Sequence, residues 1–227
     1  MSDLMNEERG SHMNRRGLLL GLAALPLAAC TTTMAEREID GADLEVRRMY
    51  GEMSTEAHRL PAMNTRRVDP RFLRQEVAYN GSEPAGSIVI DTTDHHLYYV
   101  LGGGRAMRYG IGVGRDGFGW SGDVKIGRKA KWPGWTPPVS MQKRDPEAAK
   151  WASGMPGGIQ NPLGARAMYL YKGGRDTIYR IHGTNAPSTI GRSMSSGCIR
   201  MFNHDVIDLY ERAGVGTQVK VRANPIV

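Results

Sequence analysis

The chain has 227 residues, 40% hydrophobic and 23% charged, with 29 Gly and 12 Pro, which suits one globular domain of moderate size plus tails and excludes a wholly disordered chain. Its 30 Lys and Arg against 23 Asp and Glu leave a formal charge of +7, which favours an acidic surface or polymer as neighbour. No helix-turn-helix, zinc-finger or aromatic RNA-binding signature accompanies that charge, so no nucleic-acid partner is expected.

At the N-terminus, "GSHM" at residues 10–13 looks like a tag-cleavage scar or a misplaced start, and residues 1–12 are set aside from fold reasoning. Arg15 and Arg16 then precede thirteen largely apolar residues, Gly17 to Ala29, and Cys30. A membrane-spanning helix needs about 20 apolar residues, so this run reads as a secretory signal peptide. Cys30 behind Leu27-Ala28-Ala29 resembles the lipobox of bacterial lipoproteins, in which the thiol receives a diacylglyceryl group. The alternative is an ordinary cleaved signal with a chance cysteine. The paired arginines also resemble a twin-arginine export signal, though a positive n-region is common to all signals.

Residues 31–85 are charged and weakly periodic, which predicts a largely irregular tether with a short helix over Asp43 to Met53. From Gly86 the texture changes to seven short β-like runs split by glycine-rich turns: "SIVIDT", "HLYYVLG", "AMRYGIGVG", "DVKIGRKAKW", "RAMYLYKG", "DTIYRIHG" and "TQVKVRA". They predict a mainly β domain over 86–223, a twisted sheet, sandwich or barrel. "GGG" at 102–104 and "KGGRD" at 172–176 read as hairpin connections. One helix is clear: Asn203 as N-cap, Asp205 in the first turn, a stripe of Val206, Leu209, Tyr210 and Ala213, and a stop at Gly214.

If Cys30 is lipidated or removed, Cys198 is left without a partner in an oxidising compartment, a liability unless it has a use. The bland alternative is a buried, inert thiol, but the flanking "SMSSGC" offers no apolar side chain after Met194 and predicts a polar loop. A cysteine attacks a carbonyl as thiolate, and a nearby imidazole can withdraw its proton. His182, sixteen residues upstream at the end of a predicted strand, is the candidate base. The amides of Gly197 and Cys198 can face a developing oxyanion. Arg200, two residues from Cys198 in an extended stretch, shares its face. It can lower the thiol pKa and hold a substrate carboxylate, or else form a structural ion pair.

"IHGT", a loop and "SSGCIRM" resemble the signature of the L,D-transpeptidase family, often called the YkuD domain, and the likeness extends over residues 86–223 through "GIGVGRDGFGWSGDVKIG", "WPGWTPP" and "GGIQNPLGARAMYL". The resemblance implies a β-sandwich-like fold with one or two short helices. It implies Cys198 as nucleophile, His182 as general base, the Gly183 carbonyl orienting the imidazole and Gly197 in the oxyanion hole. The expected reaction is attack on the peptidoglycan tetrapeptide stem between meso-diaminopimelate and D-alanine, followed by transfer of the acyl group to an amine to give a 3-3 cross-link. Outer-membrane proteins are a further class of acceptor. Alternatives are an L,D-carboxypeptidase, a protein-anchoring transferase and, from another class, a wall-binding lipoprotein without turnover. Family members commonly have His before the Gly-Cys pair, where this chain has Ser196; Ser195 and Ser196 are candidate substrate hydrogen-bond donors or plain loop structure. By resemblance to lipoprotein sorting, Thr31 after Cys30 implies an outer-membrane anchor facing the periplasm.

No cofactor is expected. His95 and His96 point to opposite faces of a strand, no zinc-like ligand spacing is present, and a turn or surface role suits them better. "GVGRDGFG" lacks the Lys-Ser/Thr of a P-loop. Trp120, Trp132, Trp135 and Trp151 divide between groove lining and core or loop packing.

Overall fold

The computed structural model describes residues 43–114, 121–193 and 198–222. Expectations for Cys30, Trp120, Ser195, Ser196 and Gly197 lie outside the described residues. Among those described, the strands are β1 (Gln75–Ala78), β2 (Ile88–Asp91), β3 (His96–Gly102), β4 (Arg105–Val113), β5 (Gly122–Lys131), β6 (Arg166–Lys172), β7 (Arg175–His182), β8 (Ile199–Met201) and β9 (Gln218–Arg222). Each of the seven runs read as β-like coincides with a strand. Helices are α1 (residues 43–49), α2 (Val139–Arg144), α3 (Pro146–Ala149) and α4 (Asn203–Arg212). The fold is mainly β with a few short helices.

The strands lie side by side as β1-β4-β3-β2-β9-β5-β6-β7-β8, and β8 also pairs with β4, so the sheet returns on itself. Successive strand residues face opposite sides, and one apolar cluster collects the inward set from every strand from β2 to β9. It runs from Ile88 and Ile90 through Tyr109, Ile126, Met168 and Ile181 to Ile199 and Val221. The stripe of α4 joins it through Val206, Leu209 and Ala213. β2 is buried along its whole length because Val89 faces a second cluster with Tyr79, Val100 and Ala106. In the β6–β7 hairpin, Lys172 pairs with Arg175 across Gly173 and Gly174, whose φ values of 56° and 79° suit the two-residue turn that matches strand twist.

The expectation of a tether reaching residue 85 is corrected. Leu44–Val227 forms one compact unit, and the segment before β2 supplies much of its packing. Tyr50 is 1% exposed and clusters with Phe72, Ile190 and Phe202. Leu60 packs with Trp132, Ala165 and Ile207, and β1 pairs with β4 in antiparallel register. Charge fixes the segment as firmly. Glu56 accepts from both terminal nitrogens of Arg166, at 2.7 and 2.9 Å, and from Trp132 Nε1 at 2.9 Å. Tyr50 donates to Asp205 at 3.2 Å and accepts from the Arg74 amide at 2.6 Å, while Arg74 pairs with Asp208 at 2.9 Å. The physical reason is that charged residues in a weakly periodic stretch can still be buried when each finds a partner on the domain.

Because Arg166 is 2% exposed, removing its carboxylate leaves a buried guanidinium unpaired. Glu56→Ala is expected to lower unfolding free energy by about 3 kcal/mol in urea titrations; a loss below about 0.5 kcal/mol would show that the segment is only loosely held.

Candidate active site

The register of three strands builds the site. Ala167 pairs with His182, Met168 with Ile181 and Tyr169 with Arg180, while in parallel register Ile181 pairs with Ile199 and His182 with Arg200. Alternation sends Met168, Ile181 and Ile199 into the core and leaves Tyr169, Arg180, His182, Cys198 and Arg200 on the other face. These five line one cleft of about 580 Å³, whose apolar wall includes Trp135, Met141 and Leu163.

His182 is 4% exposed, and its Nδ1 lies 2.6 Å from the Gly183 carbonyl oxygen. A carbonyl only accepts, so Nδ1 carries the proton and Nε2 keeps its lone pair. Burial pushes the imidazole pKa down to about 4; the Gly183 hydrogen bond opposes this, and the charges of Arg200 and Arg180 add to it. Gly183 is required by space, since a Cβ there would lie 2.1 Å from Asn203 Oδ1. That oxygen accepts from the amides of Ala165 at 3.0 Å and Thr184 at 3.2 Å, and Asn203 Nδ2 donates to Thr184 O at 3.0 Å.

Asn203 is therefore not the cap of α4. Phe202 occupies that position with no side-chain cap bond, and Asn203, one residue on, clamps the end of β7 to the start of β6. Of the other helix features, Asp205 does stand in the first turn.

Cys198 is half-buried and directly precedes β8. Burial raises its pKa, whereas a backbone hydrogen bond from Arg180 and the charges of Arg180 and Arg200 act to lower it. Arg200 thus acts on the thiol in the expected direction, but desolvation outweighs its guanidinium and the net shift is upward. Thiol and imidazole are both neutral at neutral pH. Arg200 is half-buried and has no carboxylate partner among the described residues, so the structural ion pair weighed for it is absent there.

Arg180 and Tyr169 were not singled out from the sequence, although Arg180 stands two residues before His182 in a strand and therefore on its face. Arg180 is clipped by Asp176 at 2.7 and 3.0 Å, and Asp176 also accepts from the Ile178 amide at 2.8 Å. That clip shapes a bulge from which Ile178 stands 79% exposed at φ 70° on the cleft rim. Of the tryptophans, Trp135 lines the cleft, Trp132 is buried beside His58 and Trp151 is exposed. His96 departs from the surface role expected of it: it is 7% exposed, stacks on Phe72 and bonds Arg71 O at 3.0 Å. Among the described residues no group of three or more His, Cys, Asp or Glu could hold a metal ion.

The family model described as the L,D-transpeptidase catalytic domain, YkuD, matches residues 85–221, and the chain belongs to that family. "Probable L,D-transpeptidase YbiS" of Escherichia coli (strain K12) is 36% identical over 145 residues, covering 61% of this chain and 45% of the relative. The chain thus spans under half the length of that relative. A solved structure from Brucella melitensis, called a "Probable carnitine operon oxidoreductase caia", is 48% identical over 68% of this chain and 96% of its own, with a TM-score of 0.47. An L,D-transpeptidase from Mycobacterium smegmatis is 18% identical over 60% of this chain and 57% of its own, with a TM-score of 0.42.

A neutral thiol has a direct chemical signature. In full-length Cys30→Ser protein, where Cys198 is the remaining cysteine, the rate of iodoacetamide alkylation is expected to climb with pH and to inflect above the ordinary thiol range. A flat, fast rate from about pH 6 to 8 would reveal a preformed thiolate and contradict this reading.

Proposed function

We propose that the protein is an exported L,D-transpeptidase that forms a Cys198 acyl-enzyme with peptidoglycan tetrapeptide stems and passes the acyl group to an amine, giving a 3-3 cross-link. The observation that carries the reading is the His182 Nδ1 bond to Gly183 O, which leaves Nε2 as a free base in the cleft that holds Cys198. As Sγ attacks the carbonyl of meso-diaminopimelate, Nε2 takes the thiol proton and a tetrahedral oxyanion forms. The amides of Gly197 and Cys198 are assigned to that oxyanion. Collapse breaks the bond to D-alanine, whose amine leaves with the proton from the imidazolium, and a thioester remains. The acceptor amine then attacks the thioester, gives a proton to Nε2, and expels Sγ, which recovers its proton. Arg200, half-buried in the cleft without a carboxylate partner among the described residues, is assigned to the carboxylate of the departing D-alanine. Ser195 and Ser196 are assigned to substrate hydrogen bonds.

A base that starts neutral and a thiol that starts protonated exchange one proton within the site, so neither group carries a charge before substrate arrives. The same acyl-enzyme can deliver its acyl group to outer-membrane proteins, and we place the domain in the periplasm on a lipid anchor at Cys30. Acylation there contributes about 0.8 kcal/mol per buried methylene.

Incubated with tetrapeptide stems, the purified protein is expected to give 3-3 dimers. Cys198→Ala should abolish them, and His182→Ala should slow them by about 10²- to 10⁴-fold with the circular dichroism spectrum retained. Near-normal turnover by either folded variant would sink the assignment, and tripeptide in place of dimer would make the protein a carboxypeptidase. Cys30→Ser should release the protein from the membrane fraction; a wild-type protein found soluble, with its mature N-terminus elsewhere, would contradict the anchor.

A further inference from the structure

Arg128 on β5 pairs in register with Tyr169 on β6, and Tyr169 pairs with Arg180 on β7. The parallel pairing of Ile181 with Ile199 brings Arg180 level with Cys198, so the four residues form one row across the sheet. Both guanidiniums rest against the same ring: Arg128 lies 3.4 Å and Arg180 4.5 Å from the Tyr169 centroid. Their electrostatic situations differ. Arg180 is held at two points by Asp176, a carboxylate that also shapes the bulge. Arg128 is exposed and has no carboxylate partner among the described residues. A cation fixed on an aromatic face keeps its outer N–H groups directed at solvent and loses little side-chain freedom when an anion arrives.

From this row we infer that Arg128 is a specificity-determining residue that binds a substrate carboxylate at the edge of the cleft, and that the carboxylate is the far one of the donor's meso-diaminopimelate. The inference rests on the donor proposed above. Strands are about 4.8 Å apart, so a guanidinium over β6 lies about 10 Å from the line of Cys198, two spacings away. The far carboxylate carbon of an extended diaminopimelate lies about 7 to 8 Å from the acyl carbon. A charge-assisted hydrogen bond adds about 2.8 Å, which closes the distance. Arg200 then serves the leaving side of the scissile bond and Arg128 the acyl side.

The test uses full-length protein and two tetrapeptide donors, one with the far diaminopimelate carboxylate free and one with it as carboxamide. The rate of Cys198 acylation is followed by intact mass in the absence of an acceptor. Wild-type protein is expected to acylate about tenfold or more faster with the free carboxylate. Arg128→Ala should bring the two donors within about twofold by slowing only the free-carboxylate donor, and Arg128→Lys should restore part of the preference. Because Arg128 is exposed, both variants should melt within about 2 °C of wild type. Acylation with no donor preference in wild type, a preference retained in Arg128→Ala, or a preference that arises only when an acceptor stem is present would each overturn the inference. No acyl-enzyme with either donor would instead overturn the transpeptidase reading and this one with it.

Discussion

A carbonyl oxygen accepts hydrogen bonds and never donates them, and the Gly183 carbonyl, 2.6 Å from His182 Nδ1, therefore decides which imidazole nitrogen faces the cleft. Everything around it serves to keep that carbonyl in place. Gly183 must lack a side chain because Asn203 Oδ1 stands where a Cβ would be, and Gly164, at φ 60°, meets the same oxygen. Asn203 in turn belongs to α4. That helix is tied to the preceding segment by the Tyr50 bond to Asp205 and the Arg74 pair with Asp208. A line of contacts therefore runs from residue 50 through α4 to the imidazole. The part of the chain that looked least structured is bound to the helix that positions the imidazole.

Electrostatics follow from the same burial. His182, held down at about pKa 4, binds fewer protons folded than unfolded between pH 4 and its ordinary 6.5, so its contribution to stability rises with pH through that window. Asp205, pushed up to about 7 by burial, binds more protons folded than unfolded between 3.8 and 7, and its contribution falls as pH rises. The two slopes oppose each other over most of the acidic range. At neutral pH the cleft holds no charge on His182 or Cys198, yet it is flanked by the guanidiniums of Arg180 and Arg200. The field there is positive, as is the chain's formal charge of +7.

The parts of this arrangement that were legible in the sequence are those governed by short-range pattern. Seven strands, two glycine hairpins and the stripe of α4 each follow from periodicity or turn chemistry within a few residues. The spacing of His182, Cys198 and Arg200 carried the family resemblance, and alternation explains why the three share a face. β8 escaped because three residues are too few to show a period, and β1 because its four, mostly exposed, carry no apolar run like that of β2. The segment around Tyr50, Leu60 and Phe72 escaped because these three, its fully buried apolar residues, fall ten or more positions apart and divide between two clusters. Asn203 looked like a cap because Asn commonly caps, and no local signal tells that its amide is used across 38 residues of chain instead. The thiol's raised pKa depends on how much protein covers Cys198, which flanking residues do not encode.

The central claim is a neutral imidazole with its proton on Nδ1 and its lone pair on Nε2, and the most direct measurement is the ¹⁵N NMR spectrum of His182 in histidine-labelled protein, assigned by loss of its signals in His182→Gln. The account predicts a protonated Nδ1 and an unprotonated Nε2 at pH 7, unchanged until the pH falls toward about 4. Two protonated ring nitrogens at pH 7, or a neutral ring with the proton on Nε2, would contradict it.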